Sequence, residues 1–380
     1  MMEPLAVGAS VGAVFIVVGL LLLLASGGDK YNGKNVGTLL KSSSTQGTDS
    51  RRSRGGFLYA TTKVEDTPAG FVMTNDWGNL TLFSDVSGRF YRSIDYGDSW
   101  AVLADALEGG VLYGAAMSGD GREIMAGTAS GGVYYSDDFG ESFEKRAKTT
   151  CSIIAASADL SQAACVGGAV GEMNNIFFSI NSGKKWSKST MTKQYWAGIA
   201  SNADASYMVA IVPAKQKYAW VSTDGGASFS VLANNELRTW GCLGHSRDLS
   251  RMILTDVGTL NTHGSIDYGQ TWFQIYCGDC LTHNFSQPGW ASCAVSGDGL
   301  SYALGFKDET LKVVHNCDPA VNGTHACKDC WQDQVAASTS GVWDTVGVAF
   351  SYDGTYFYSV DALKLVVTTG KYEYDDDAAE

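Results

Sequence analysis

The hydrophobic pattern divides the chain into two unequal parts. Residues 5–26 form an uncharged stretch of 22 residues that includes the run Leu20–Leu24. At about 1.5 Å per residue, a helix of this length crosses a hydrocarbon core of roughly 30 Å. The stretch therefore predicts one N-terminal transmembrane helix, behind a short tail of residues 1–4. The alternative is a secretory signal cleaved at Ala25-Ser26-Gly27, although no Lys or Arg precedes the apolar run.

Beyond this stretch the pattern changes again. Residues 27–56 are rich in Gly, Ser, Thr, Lys and Arg, which predicts a flexible tether. From residue 57 to 372, short segments with alternating apolar and polar positions are separated by turn residues, as in antiparallel strands. Residues 373–380 form an acidic tail. The sequence thus predicts an all-β domain on a membrane anchor.

Two signals disagree about the side of the membrane on which the β domain lies. The lysines after the span, with nothing positive before it, favour the cytoplasm under the positive-inside rule. Glycosylation sequons and a count of 9 Cys favour an oxidising compartment. The sequons begin at Asn79, Asn284 and Asn322. We favour the exoplasmic side, which is lumenal, extracellular or on a virion surface, because of the cysteines.

One octet recurs through the β domain at a fixed spacing, and its five copies start 43 residues apart. The copies are Ser93-Ile-Asp-Tyr-Gly-Asp-Ser-Trp100, Ser136-Asp-Asp-Phe-Gly-Glu-Ser-Phe143, Ser179-Ile-Asn-Ser-Gly-Lys-Lys-Trp186, Ser222-Thr-Asp-Gly-Gly-Ala-Ser-Phe229 and Ser265-Ile-Asp-Tyr-Gly-Gln-Thr-Trp272. A period in the forties with several short strands per repeat is typical of a propeller.

The octet has the chemistry of a turn. Its Ser and Asp can accept hydrogen bonds from nearby backbone N–H groups, and its Gly supplies a positive φ. A content of 45 Gly against 5 Pro agrees with many tight turns. Because the third residue recurs once per repeat, we expect it to be structural rather than catalytic. This residue is Asp95, Asp138, Asn181, Asp224 or Asp267.

A second recurring turn gives the number of blades. Hairpin turns start at Ser118, Ser157, Ser201, Ser246, Ser296 and Ser351. With the octets they delimit blades at 70–107, 112–149, 151–192, 195–236, 239–280 and 289–336, and a partial blade at 343–369. Residues 57–62 can supply the strand that the partial blade lacks and close the ring. The sequence predicts a seven-bladed β-propeller of four-stranded antiparallel blades, with six blades as the alternative.

The octets resemble the Asp-box, also called the BNR repeat, and on these motifs residues 57–372 are similar to the Asp-box β-propellers. That group includes sialidases, sortilin-type receptors and photosystem II assembly propellers. The resemblance implies the architecture and leaves the function open. It also raises a sialidase-like glycoside hydrolase or a glycan-binding receptor as alternatives.

The cysteines include two pairs with the spacing of zinc ligands, Cys277-x-x-Cys280 and Cys327-x-x-Cys330. The propeller pattern places these pairs at opposite ends of a blade, so we expect no shared metal site and disulfides instead. The expected bonds are Cys277 or Cys280 with Cys293, Cys317 with Cys327 or Cys330, and Cys151 with Cys165. Cys242 would then remain as a buried thiol. Zinc at either pair alone and reduced thiols are the alternatives.

An aromatic residue opens the inner strand of several predicted blades. These residues are Tyr113, Trp196, Trp240, Trp290 and Trp343, with Arg238 next to Trp240. Because inner strands line the central channel, the aromatic side chains would circle one rim. There they would either stack on a sugar or a partner's side chains, or fill the gaps between blades.

The net charge and the absence of catalytic motifs exclude several classes of function. The net charge of −13 argues against a nucleic-acid partner. The chain lacks the Arg-Ile-Pro segment and the arginine triad that the sialidase resemblance requires, and it has no P-loop or His-Glu-x-x-His motif. We therefore expect no catalysis and no cofactor. The expected role is a scaffold that binds the bilayer through residues 5–26 and a protein or glycan through the propeller.

Overall fold

The computed structural model covers most of the predicted β domain. It describes residues 45–46, 56–65, 69–85, 88–103, 107, 112–128, 130–169, 171–213, 218–232, 238–256, 261–275, 290–306, 311–315, 332–334, 345–361 and 365–373. These residues include no helix that is long and apolar enough to cross a membrane. The predicted span, residues 5–26, lies outside them.

Seven antiparallel sheets form seven blades, numbered I to VII along the chain. Strands A to D of blades I to III are β3 (Ala69–Thr74), β4 (Thr81–Asp85), β5 (Phe90–Ser93), β6 (Ala101–Leu103); β7 (Leu112–Met117), β8 (Ile124–Thr128), β9 (Gly132–Ser136), β10 (Glu144–Ala147); and β11 (Ile153–Ala156), β12 (Ala163–Val166), β13 (Ile176–Ser179), β14 (Ser187–Lys188). Those of blades IV to VI are β15 (Gly198–Ser201), β16 (Met208–Ile211), β17 (Trp220–Ser222), β18 (Ser230–Val231); β19 (Trp240–His245), β20 (Met252–Asp256), β21 (Asn261–Ser265), β22 (Phe273–Ile275); and β23 (Trp290–Val295), β24 (Tyr302–Phe306), β25 (Leu311–Val314), β26 (Gln332–Gln334).

Blade VII joins the two ends of the β domain. Its strands A to C are β27 (Thr345–Phe350), β28 (Tyr356–Asp361) and β29 (Leu365–Glu373), and its strand D is β2 (Gly56–Glu65). β2 pairs with β29 from Gly56 opposite Glu373 to Glu65 opposite Leu365. β1 (Thr45–Gln46) adds a short fifth strand outside β2. The prediction of seven blades, the last completed by an N-terminal strand, is confirmed.

The hydrophobic core lies between the blades. Every residue of the middle strands β8 and β20 is buried, because each blade is packed between two neighbours. The outer strands β10 and β14 are largely exposed. At the junction that closes the ring, Phe83 and Tyr91 of blade I pack in one cluster with Tyr358 of blade VII. The inner strands of blades VII and I are also in contact, so the ring is continuous.

Two disulfides occur in the described part of the chain. Cys151 and Cys165 are joined within blade III, which is the pair that the sequence predicts. Cys242 of β19 is joined to Cys293 of β23, with a Cα–Cα distance of 5.9 Å. The expectation that Cys293 pairs with Cys277 or Cys280 and leaves Cys242 as a thiol is therefore wrong. Inner strands of neighbouring blades lie side by side, which brings together cysteines 51 residues apart. Cys277, Cys280, Cys317, Cys327 and Cys330 lie outside the described residues.

Candidate functional site

The propeller has two different ends. Strand direction alternates within each blade, so the A–B turns and the C–D turns emerge at the same end, which we call the turn face. Each octet is a C–D turn. The B–C loops and the connections to the next blade emerge at the other end, the connection face, where the inner strands begin. Each candidate residue can therefore be assigned to one face.

The first octet shows how its residues hold the turn. The Ser93 hydroxyl donates to Asp95 Oδ1 over 2.9 Å and accepts from the Gly97 N–H over 2.8 Å. Asp95 then accepts from the Ser99 N–H at Oδ1 and from the Ser99 hydroxyl at Oδ2, over 2.9 and 2.5 Å. Trp100 Nε1 donates to the Gly97 carbonyl over 3.1 Å. The side-chain oxygens of Ser93, Asp95 and Ser99 are thus all used within the turn.

Two of these hydrogen bonds recur in the other four copies, namely the bond from the hydroxyl of the first residue to the third residue and the bond to the third residue from the N–H of the seventh. Their third residues are Asp138, Asn181, Asp224 and Asp267. In the third copy Asn181 lacks a second carboxylate oxygen, and Lys185 stands where the other copies have the Ser or Thr that would donate to it. These contacts assign the five residues a structural role in the turns.

Hydrogen bonding keeps the carboxylates of the turn face ionised. Partial burial by itself raises the pKa of Asp95, but hydrogen bonds from Ser99 and Ser93 outweigh it and hold the pKa below its usual value. Burial and the bonds from Thr355 and Ser351 act on the pKa of Asp353 in the same way. The pKa is also lowered for Asp120, Asp138, Asp159, Asp204, Asp224, Asp248 and Asp267. The turn face therefore carries many fixed negative charges.

The A–B turns share an aspartate at their third position, except in blade I. In blade II, Asp120 at the third position of the turn accepts from the Ser118 hydroxyl and the Arg122 N–H, over 2.7 and 3.0 Å. The third position is also Asp in the five blades that follow, at Asp159, Asp204, Asp248, Asp298 and Asp353. In blade I it is Trp77, whose side chain is 61% exposed. This turn has an exposed tryptophan in place of a carboxylate that would stabilise it.

The turn that carries Trp77 lies beside several aromatic residues at the junction of blades VII and I. Tyr96 and Tyr356 face each other with ring centroids 4.6 Å apart. Tyr352 joins the turn of Trp77 through a backbone hydrogen bond to Asp76, and Gly78 packs directly against Tyr356. Tyr96 and Tyr352 are 42% and 43% exposed. We call Trp77, Tyr96, Tyr352 and Tyr356 the aromatic patch.

An ion pair crosses the mouth of the central channel beside this patch. Arg247, in the A–B turn of blade V, pairs with Asp76 of blade I. Its guanidinium also lies 5.8 Å from the ring centroid of Tyr352. Backbone hydrogen bonds also join the A–B turns of neighbouring blades, for example from the Arg247 N–H of blade V to the Gly297 carbonyl of blade VI over 2.9 Å. The Arg247 side chain thus links blade V to blade I across the turn face.

Two of the aromatic residues that were expected to form a rim on the connection face are buried. Trp196 and Trp240 are each only 2% exposed and pack in clusters between blades. Trp196 Nε1 also donates to the Asn174 carbonyl over 3.1 Å, and Arg238 pairs with Asp256 over 3.2 Å. The two tryptophans therefore offer no stacking surface. Tyr113 and Trp290 belong to β7 and β23, and Trp343 lies outside the described residues.

The structure describes some of the glycosylation sequons and some of the possible metal ligands. Asn79 lies in the A–B turn of blade I, where its side-chain carbonyl accepts from Asn75 Nδ2 over 2.8 Å. The sequons at Asn284 and Asn322 lie outside the described residues. Among the residues that the structure covers, no three His, Cys, Asp or Glu side chains are grouped so that they could hold a metal ion.

Reasoning from the sequence missed the aromatic patch because its members fall in segments that count as turns. One signal was available, namely a departure from the repeat. The turn Asn75-Asp-Trp-Gly78 has neither the Ser at the first position nor the Asp at the third position that most of the other A–B hairpins have. Where one copy of a repeat lacks the residue that stabilises the other copies, that position should be tested for a role in binding.

No protein-family model matches the chain, and a search of curated proteins gives no match. Solved structures do share its fold. The structure of YCF48 bound to a D1 peptide matches with a TM-score of 0.60 and 12% identity, over 82% of this chain and 96% of that chain. Hydrazine synthase of Kuenenia stuttgartiensis matches with a TM-score of 0.60 and 14% identity, over 82% of this chain and 97% of that chain. At these identities the similarity shows the β-propeller fold alone.

Proposed function

We propose that the protein is a binding propeller that presents the turn face to a protein partner and performs no catalysis. The observation that carries this proposal is Trp77. An exposed indole at this site loses the hydrogen bonds that Asp makes in six other turns, so the stability of the turn does not explain it. Trp and Tyr are the residues that most often carry the binding energy of protein interfaces.

The comparison with solved structures supports a peptide or protein as the ligand. The YCF48 structure holds a D1 peptide, so a propeller of this fold can bind a peptide. Hydrazine synthase bears the name of an enzyme, and the fold by itself does not decide between binding and catalysis. The choice therefore rests on the side chains of this chain.

The arginines argue against the sialidase-like alternative, which needs three of them around one carboxylate. Arg92 pairs with Glu141 over 3.3 Å, and Arg146 pairs with Glu144 over 2.8 Å. Arg238 pairs with Asp256 in blade V. These three guanidinium groups pair with three different carboxylates and do not share one. A fluorogenic sialoside should accordingly remain intact with the full chain.

We further propose that the chain is an Asp-box propeller that residues 5–26 anchor in a membrane, with the propeller on the exoplasmic side. The two disulfides support this side, because such bonds persist in oxidising compartments. Intact mass before and after reduction tests the bonds. Alkaline extraction of membranes tests the anchor, and a chain that is released by carbonate would contradict it.

The binding proposal is tested by capture of the partner from cross-linked detergent extracts, with identification by mass. The informative variant is Trp77→Asp, because blade IV already combines Asn202 at the first position with Asp204 at the third. It should retain the melting temperature and lower recovery of the partner about tenfold or more. Phe139→Ser, which removes an exposed aromatic of blade II, is the matched control and should leave recovery unchanged.

Equal recovery with Trp77→Asp and the unaltered chain would contradict the proposal. Capture is compared before and after enzymatic deglycosylation, because a glycan on Asn79 would lie in the same turn as Trp77.

A further inference from the structure

The molecule already contains one example of the chemistry that its aromatic patch offers. The Arg247 guanidinium lies over the Tyr352 ring and pairs with the Asp76 carboxylate. A cation held between an aromatic face and a carboxylate combines a cation–π contact with an ion pair. Two other members of the patch, Trp77 and Tyr96, expose aromatic surface on the same face, and Tyr356 packs against Tyr96.

Aspartates outnumber cations around this exposed surface, where Lys371 lies opposite Tyr356 in the pairing of β28 with β29 and Arg247 pairs with Asp76. Asp95 directly precedes Tyr96 and accepts hydrogen bonds from Ser93 and Ser99, which are neutral groups and leave its negative charge in place. Asp353 directly follows Tyr352 and is likewise held by Ser351 and Thr355. Asp98 is exposed two residues beyond Tyr96. The aromatic rings therefore lie in a negative potential that attracts cations and repels anionic lipid head groups.

We propose that the aromatic patch receives a Lys or Arg side chain of the protein partner, from a segment that also places an apolar side chain against Trp77. This inference rests on the proposed function and names the chemistry of its partner. The carboxylates supply the attraction for the cation, and the exposed indole supplies apolar area. The negative charges belong to turns that recur in the blades. The aromatic rings at this junction are what would make the site prefer a cation that lies next to an apolar side chain.

The test uses a phage library of random ten-residue peptides, selected on the full chain in a nonionic detergent. Recovered peptides should be enriched in Lys or Arg next to an apolar residue. Fluorescent synthetic copies of the strongest binder are then compared with copies that carry citrulline in place of Arg, or norleucine in place of Lys. Loss of the charge should weaken binding about tenfold, and raising the salt from 50 to 500 mM should weaken the charged peptide only.

Two variants locate the charge on the propeller. The variant Asp353→Asn should weaken the charged peptide about threefold or more and leave the neutral copy unchanged. Asp204→Asn alters the same turn position as Asp353 in blade IV, far from the patch, and should have no effect.

The outcomes separate this inference from the proposed function. Peptides that need Trp77 but bind equally without their cation would overturn the inference and leave the binding function standing. Binding that Trp77→Asp does not change would overturn both. Flotation of the propeller with phosphatidylcholine vesicles in a Trp77-dependent manner would assign the patch to a lipid surface and overturn both as well.

Discussion

The fourth residue of each octet has a left-handed backbone, and only one copy uses glycine there. The φ angles are 59° at Tyr96, 61° at Phe139, 56° at Ser182, 61° at Tyr268 and 68° at Gly225. The fifth residue, a glycine in all copies, also has a positive φ, as the sequence predicts. A left-handed conformation costs an L-residue roughly 1–2 kcal/mol more than glycine. The strain at the fourth position is compensated by its N–H, which in blade III donates from Ser182 to the Ser161 carbonyl over 2.9 Å.

The substitution Ser182→Gly should therefore stabilise the protein. Its backbone contacts remain, including the bond from Arg146 Nη1 to the Ser182 carbonyl over 3.0 Å. We expect the free energy of unfolding to rise by about 0.5–1 kcal/mol, with the gain reduced by the greater freedom of glycine in the unfolded chain. Urea titration measures the change. Gly225→Ser is the reverse experiment and should lower the free energy by a similar amount. A loss of stability with Ser182→Gly would refute the strain argument.

The octet carboxylates also make stability depend on pH. Burial raises the pKa of Asp138, but hydrogen bonds from Ser142 and Ser136 outweigh it, so the pKa lies below its usual value. Near pH 4 the unfolded chain consequently binds more protons than the folded chain at this site, and acid favours unfolding. The stability from Asp138 is present above the unfolded pKa and is lost as the pH falls through the lower folded pKa.

Asp138→Asn copies the residue of the third octet and removes this titration. Its urea midpoint should fall less steeply between pH 5 and pH 2.5 than that of the unaltered chain, while its stability at pH 7 is lower by about 1 kcal/mol. Asn181→Asp, which introduces a carboxylate into the third octet, should steepen the same curve. Parallel curves for all three proteins would show that the octet carboxylates do not contribute to acid unfolding.

At the scale of elements, the two disulfides close loops of very different length. Cys151–Cys165 lies within one blade and spans 14 residues, whereas Cys242–Cys293 joins the inner strands of two blades across 51 residues. On the chain-entropy account, loss of the first costs about 3 kcal/mol and loss of the second about 4 kcal/mol. Cys242→Ser with Cys293→Ser should therefore lower the melting temperature more than Cys151→Ser with Cys165→Ser. Calorimetry of both double variants tests the order, and the opposite order would show that packing around Cys151 outweighs loop length.

The elements also show which features a single sequence can predict. The octet fixes its own turn, because Ser93, Asp95 and Gly97 complete their hydrogen bonds within eight residues. Strand A of blade II, predicted to begin at Tyr113, begins at Leu112. The bond between Cys242 and Cys293 was missed because it depends on the side-by-side placement of two inner strands from different repeats. The sequence therefore predicts the hydrogen bonds within a turn, whereas it does not predict the contacts between blades.

At the scale of the whole molecule, the same limit applies to the candidate site. Trp196 and Trp240 resemble a binding rim in the sequence, but neighbouring blades bury both. Trp77 and Tyr352 lie far apart in the sequence and become neighbours only because blade VII closes against blade I. The aromatic patch is therefore a product of ring closure, and it should be lost with the closure even if the individual blades persist.

Ring closure itself is tested by moving strand β2. A chain that begins at residue 66 lacks β2 and leaves the edge of β29 without its ladder, which exposes an unpaired strand on a protein whose other blades are complete. We expect this chain to aggregate or to elute as an expanded species without a cooperative thermal transition. A chain that begins at residue 45 retains β1 and β2 and is the control.

The register places Gly56 opposite Glu373, so a short hairpin linker can join residue 373 to a copy of residues 56–65. This permuted chain should recover the melting temperature and monomeric elution of the control. A chain without β2 that stays monomeric and melts at the same temperature would show that blade VII closes the ring without its fourth strand.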